Sequence, residues 1–130
     1  MSDGRVHSDI RDQMKIAKYI LDAGLRVCIH FIADGRDTPP KSALKYVRVI
    51  KRMLAPYFAN GSAFFGTLSG RYYTMDRNKN MDRTQLAFDA LALAHADVTA
   101  NTIEDAIKQQ YADGVTDEFF KPVVITKTPI

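Results

Sequence analysis

The stretch 25-LRVCIHFIADGRDTPP-40 decides the fold. Its first half is rich in branched and aromatic residues, with Leu25, Val27, Ile29 and Phe31 on one face. Cys28 and Ile32 make the opposite face apolar as well. A strand that is apolar on both faces belongs in a sheet covered on both sides, the usual situation of a parallel sheet. Its second half, ADGRDTPP, is built from turn-forming residues and leads into a new helical pattern. In an open parallel sheet, such a loop at the carboxyl end of a strand is where ligands bind.

The segments on either side repeat this alternation. Upstream, Ile10, Met14, Ala17, Ile20 and Leu21 recur at three- and four-residue steps, which predicts a helix over 10–23 with Ser8 as N-cap and Gly24 as its left-handed stop. Downstream, Leu44, Val47, Ile50 and Leu54 define one face of a second helix. Thr38 is expected to cap it, with Pro39 or Pro40 in its first turn, and Pro56 and Asn60-Gly61 to end it. Residues 62–68 (SAFFGTL) read as a strand and 69–83 as a long polar loop. Helices are expected over about 82–96 and 102–112, the second opened by an Asn101/Glu104 capping box and closed by Gly114. A last strand is expected over 123–126. This order is that of a layered α/β/α domain with a mainly parallel sheet.

Composition narrows the class. With 130 residues and 46% hydrophobic content, the chain has the size and core of one domain. Eighteen Lys and Arg against 15 Asp and Glu leave +3, without the block of like charge that marks a nucleic-acid-binding tail. The one cysteine, Cys28, excludes a disulfide framework and a multi-cysteine metal site, so a reducing, cytoplasmic setting is expected. No apolar run approaches the roughly 20 residues of a membrane span, and Met1-Ser2-Asp3-Gly4 does not read as a signal peptide. No metal-ligand motif, nucleotide-binding glycine loop or nucleophile elbow is present.

Chemistry concentrates in the two loops that follow strands, which together carry Arg36, Asp37, Arg71, Arg77 and Arg83. Adjacent parallel strands place both loops at one end of the sheet. The planar fork of arginine grips phosphate or carboxylate with paired hydrogen bonds, and such a cluster repels itself unless an anion joins it. The alternative for any one of them is a solvated arginine paired locally, Arg36 with Asp34 or Asp37 and Arg77 with Asp76. His7, at the start of a helix, is either a phosphate donor or a surface residue. Asp37 is either a general base toward a hydroxyl or a turn aspartate. His30 and His95 read as structural. Tyr72 and Tyr73 read as packing residues rather than stacking platforms for bases.

Val6-His7-Ser8, the run 34-DGRDTPPKSA-43 and the run 69-SGRYYTMDR-77, with Asp82-Arg83 and 116-TDEF-119, resemble the cofactor-independent (2,3-bisphosphoglycerate-independent) phosphoglycerate mutases. That resemblance implies an isomerase, an intramolecular phosphotransferase that interconverts 3-phosphoglycerate and 2-phosphoglycerate in glycolysis. It has a phosphatase-like domain holding two divalent metal ions (manganese) and a serine nucleophile, and a phosphotransferase domain that holds the substrate. The chain is similar to part of the second domain alone. By the same resemblance His7, Arg36, Asp37, Arg71 and Arg77 bind substrate, and Asp37 is the candidate catalytic base. No metal ligand falls within the chain, and catalysis by these residues alone is not expected. Without the family, the same loops fit a stand-alone module that binds a phosphorylated metabolite. The family usually reads GGVHSH where this chain has Gly4-Arg5-Val6-His7-Ser8-Asp9, and carries a tryptophan where this chain has Met81.

Overall fold

A computed structural model describes residues 1–125. Its elements run α1 (Ile10–Asp22), β1 (Val27–Ala33), α2 (Ala43–Met53), α3 (Ala55–Ala59), β2 (Ala63–Gly70), α4 (Arg71–Thr74) and α5 (Met81–Leu93). β3 (Val98–Thr99), α6 (Ile103–Ala112), a 3₁₀ turn (Asp117–Phe119) and β4 (Val123–Val124) follow. The sheet order is β1-β2-β4-β3. β1 pairs parallel to β2 and β3 parallel to β4, while β2 and β4 are antiparallel. The sheet is therefore mostly parallel, as expected, with a reversal at β4 that nothing in the sequence signalled. Thr126, the last residue of the expected strand, lies outside the described residues.

The core lies against one face of the sheet. Ile29, Phe31 and Ala33 of β1 and Leu68 of β2 join Ile10, Met14 and Leu21 of α1, Val47 and Ile50 of α2, and Ile103 and Ile107 of α6 in one buried cluster. Ile10, Met14, Leu21, Val47 and Ile50 are among the residues whose three- and four-residue spacing marked the helix faces. Ala87 and Ala90 of α5 are buried outside this cluster, where α5 packs on β2. Helix stops at Gly24 (φ +81°) and Gly114 (φ +78°) fall where expected.

Three helix starts differ from the reading of the sequence, each for a local reason. The cap of α1 is Asp9, whose carboxylate accepts the Arg11 N–H and so takes the place of the Ser8 hydroxyl. The cap of α2 is Ser42, because residues 40–41 form a turn that is pinned to the 3₁₀ turn by the Asp117 N–H bond to the Pro40 carbonyl. α6 is capped by Thr102, whose hydroxyl accepts the Asp105 N–H, one residue later than an Asn101/Glu104 box.

The 3₁₀ turn seals the end of the sheet where β1 and β2 stop. A Cβ placed on Gly70 would stand 2.2 Å from the Glu118 carbonyl oxygen, and one on Gly35 would stand 2.6 Å from the Glu118 nitrogen. Both glycines are required by close approach of backbone to backbone. Gly70→Ala is therefore expected to cost on the order of 1–3 kcal/mol through forced backbone shifts, measured by urea unfolding. An unchanged midpoint would contradict this packing.

Candidate functional site

Parallel pairing of β1 and β2 sets the site. Ala33 is the register partner of Gly70, so Asp34 and Arg71 leave the sheet side by side. Arg71 opens the short α4 and turns back across the gap. Its Nη1 donates to Asp34 Oδ1 at 2.8 Å and to Asp37 Oδ2 at 2.6 Å. Its side chain is only 15% exposed; the contact with Asp34 is partly buried, while the one with Asp37 is open to solvent. Nη2 lies 3.0 Å from His7 Nε2. A guanidinium only donates, so Nε2 is the acceptor and the imidazole proton sits on Nδ1.

Asp34 organises the first loop. Its carboxylate accepts the Ser2 hydroxyl at 2.6 Å, the Asp37 N–H at 3.1 Å and the Arg36 N–H at 3.3 Å, besides Arg71. Burial alone would raise its pKa. Hydrogen bonds from Ser2, the Asp37 N–H and Arg71 outweigh that and hold it at about 2. Asp76 does the same for the second loop, accepting both the backbone N–H and the side-chain amide of Asn80, with the Asn78 N–H beside them. Those bonds, the Asn80 side chain first, hold its pKa below the usual carboxylate range.

His7, Arg36, Asp37, Arg71 and Arg77 all line one cleft of about 470 Å³, with Tyr72, Arg83, Asp76 and Glu118 completing its wall. A somewhat larger groove of about 590 Å³ beside β3 and α6 contains none of the five. All the residues singled out from the sequence thus meet in one place. Their pairing, however, differs from the local one considered from the sequence. Arg36, 62% exposed, reaches Glu118 at 3.7 Å rather than a neighbouring aspartate, and Asp76 pairs with Arg83 at 3.5 Å rather than with Arg77. The expected mutual repulsion of the arginines is therefore relieved by carboxylates, distant in the chain for Arg36 and Arg71 and from the same loop for Arg83. Arg77 makes no ion pair among the described residues and stands exposed at the cleft.

The aromatic and histidine readings have specific outcomes. The Arg83 guanidinium lies 3.7 Å from the centre of the Tyr72 ring, and Tyr72 also packs on Tyr73 and Phe119. Tyr72 is thus a packing residue whose face is already covered. His30 Nδ1 bonds the Thr67 hydroxyl at 2.9 Å, a structural contact between β1 and β2. His95 is exposed just beyond α5. Missed by sequence reasoning were Asp34 as the organiser of the first loop and Asp117 beneath it. For Asp34 the signal was present, since an aspartate two and three residues before N–H groups in DGRD is an Asx-turn pattern.

The two departures near His7 form a unit. Arg5 adopts φ +59°, a left-handed conformation that suits glycine, and its Nε donates to Asp9 Oδ2 at 2.7 Å. Arg11 grips the same carboxylate at 2.8 Å. Asp9 is thereby neutralised and used as a helix cap, and it places no free charge against the cleft.

A model of the family described as BPG-independent PGAM N-terminus matches residues 1–129. The chain belongs to this family. It is 45% identical over 127 residues to a 2,3-bisphosphoglycerate-independent phosphoglycerate mutase of Methanosarcina acetivorans, covering 97% of this chain and 24% of that protein. The counterpart in Akkermansia muciniphila is 42% identical over 123 residues, covering 94% and 23%. Among solved structures, a phosphoglycerate mutase of Leishmania mexicana, crystallised at low cobalt concentration, superposes with a TM-score of 0.88 at 28% identity, over 99% of this chain and 25% of that one. The chain thus spans about a quarter of the length of the mutases it matches.

Two outcomes check this geometry. Asp34 has its pKa depressed in the fold, so it contributes stability above about pH 4 that is lost as pH falls toward 2. Urea unfolding between those pH values should show a loss of roughly 1–2 kcal/mol that is missing in Asp34→Asn; identical pH slopes in the two proteins would contradict the assignment. Arg5→Gly removes left-handed strain worth about 1 kcal/mol and should unfold at or above the wild-type midpoint. A clear loss of stability would show that the ion pair with Asp9 outweighs the strain.

Proposed function

We propose that this chain forms the substrate-holding part of a cofactor-independent phosphoglycerate mutase and binds 3-phosphoglycerate and 2-phosphoglycerate in the cleft between its two arginine loops. The observation that carries this reading is the convergence of His7, Arg36, Asp37, Arg71 and Arg77 on one cleft. Arg36, Arg71 and Arg77 grip the phosphate and carboxylate, with Arg77 the exposed arm that closes on the ligand. His7 donates from Nδ1, the nitrogen that carries its proton. Asp37 takes the proton of the glycerate hydroxyl as that oxygen accepts the phosphoryl group, and binding energy from the arginines holds the hydroxyl in line.

Among the described residues no group of three or more His, Cys, Asp or Glu is placed to hold a metal ion, and Asp34 and Asp37 are both engaged by Arg71. These residues do not fit the manganese ions of the family, so no step here runs through a metal on this chain. We place those ions, with the serine that carries the phosphate between its two positions, on a phosphatase-like domain of the same parent polypeptide. The 130 residues then bind substrate without turning it over. The parent reaction is assigned to cytoplasmic glycolysis. No membrane partner is proposed, and no helix among the described residues is long and apolar enough to cross a membrane. No nucleic-acid partner is proposed: the chain carries no block of like charge, and Tyr72 is engaged by Arg83, Tyr73 and Phe119.

Calorimetry of the purified chain with 3-phosphoglycerate, against a single-stranded oligonucleotide, tests the reading. Arg71→Ala and Arg77→Ala are each expected to weaken 3-phosphoglycerate binding by about tenfold or more, the worth of one charge-assisted pair. Wild-type affinity in both variants, or tighter salt-sensitive binding of the oligonucleotide, would overturn it. Mutase turnover by the chain alone would contradict the division of labour.

A further inference from the structure

We infer that Asp117 is a positioning residue for this cleft: it clamps the loop 34–42 to the 3₁₀ turn and thereby sets where Arg36 and Asp37 stand relative to Arg71. The inference rests on the substrate-binding reading and assigns a role to a residue that lines none of the cleft.

Asp117 is 1% exposed. Its Oδ2 accepts the Ser42 N–H at 2.8 Å and the Ser42 hydroxyl at 3.1 Å, and its Oδ1 accepts the Tyr111 hydroxyl at 2.5 Å. Its own N–H donates to the Pro40 carbonyl at 2.9 Å. No cation forms an ion pair with it among the described residues. A buried carboxylate held only by neutral donors is an expensive way to stabilise a fold. It does, however, supply several convergent acceptor sites at one point, which pins two segments together in a single geometry. Tyr111 is kept as a donor: burial first, then the bond to Asp117, push its pKa well above the usual phenol value.

What Asp117 pins is the support of both arginine loops. The Phe120 carbonyl, directly after the turn, accepts the N–H of Gly70 at 2.8 Å, immediately before Arg71. Gly35, immediately before Arg36, lies against Asp117 and Glu118 so closely that an added Cβ would meet the Asp117 Cβ at 2.8 Å. Glu118 reaches Arg36, and Phe119 packs on Tyr72. One short turn therefore touches the residue before each of the two arginines. Ser42, Pro40 and Asp117 close the circuit on the far side of the first loop. Without that clamp the first loop loses its fixed position relative to the second, and paired charge-assisted hydrogen bonds to one anion depend on that relative position.

The test uses the chain with 3-phosphoglycerate as probe and compares Asp117→Asn, Ser42→Ala and Ile107→Ala. Asn retains an acceptor for the Ser42 N–H and so favours a folded variant. Ile107 is a core residue of α6 outside the cleft and serves to separate stability from position. Expected for Asp117→Asn is cooperative unfolding, at least a tenfold loss of affinity, and ligand-free amide NMR shifts that move at Arg36 and Asp37 while those of residues 77–79 stay in place. Ser42→Ala should lose less in the same direction, and Ile107→Ala should lose stability at wild-type affinity. Asp117→Asn with unmoved Arg36 and Asp37 amides, or affinity that simply follows stability across all three variants, overturns the inference. If the wild-type chain does not bind 3-phosphoglycerate, the substrate reading fails instead, and the ligand-free amide shifts still decide the positioning role.

Discussion

The parallel pairing of β1 with β2 is the constraint on which the rest depends. Because Ala33 and Gly70 are register partners, the two loops that follow start side by side, and a side chain at the first position of one reaches the carboxylates of the other. The pairing itself follows from hydrophobic burial. Ile29, Phe31, Ala33 and Leu68 face the same cluster, and sliding either strand by one residue would turn those side chains out of it. A large, non-directional force thus fixes the position of a small number of directional groups.

Those groups are arranged as an interleaved set of acids and arginines rather than as a naked positive cluster. Arg71 is shared between Asp34 and Asp37, Arg36 reaches Glu118, and Arg83 pairs with Asp76 while lying on Tyr72. Such an arrangement balances the arginine charges within the chain, and under the proposed function an arriving phosphate competes with carboxylates for some of the same donors. Asp34 is the least available for exchange, since Ser2 and two backbone N–H groups hold it as well as Arg71. Among the described residues the Asp37 side chain is held by Arg71 alone, so displacement from that arginine frees it toward the cleft.

Much of this was legible in the sequence. The strand read at 25–32, observed as Val27–Ala33 with Leu25 exposed before it and its Cys28/Ile32 face only partly buried, the helix faces of α1 and α2 and the stops at Gly24 and Gly114 rest on periodicity and on backbone chemistry local to each segment. The convergence of His7, Arg36, Asp37, Arg71 and Arg77 followed from strand order and from the resemblance to a known family. The direction of β4 was not legible, because two residues of strand carry no sign of orientation. The caps moved by one to four residues wherever a neighbouring polar group or a distant contact competed, as at Ser42, where Asp117 lies 75 residues away. The partners of the arginines were hidden for the same reason. Nearby aspartates are the obvious candidates along the chain, whereas the fold supplies Glu118 to Arg36 and the first loop's aspartates to Arg71.

The central claim is that one anion-binding cleft lies between the loops after β1 and β2. A crystal structure of the chain with 3-phosphoglycerate tests it most directly. The account predicts the ligand in contact with His7, Arg36, Arg71 and Arg77, with its hydroxyl at hydrogen-bond distance from an Asp37 carboxylate released from Arg71. Ligand bound elsewhere, with the Arg71–Asp37 pair intact and the cleft empty, would contradict it.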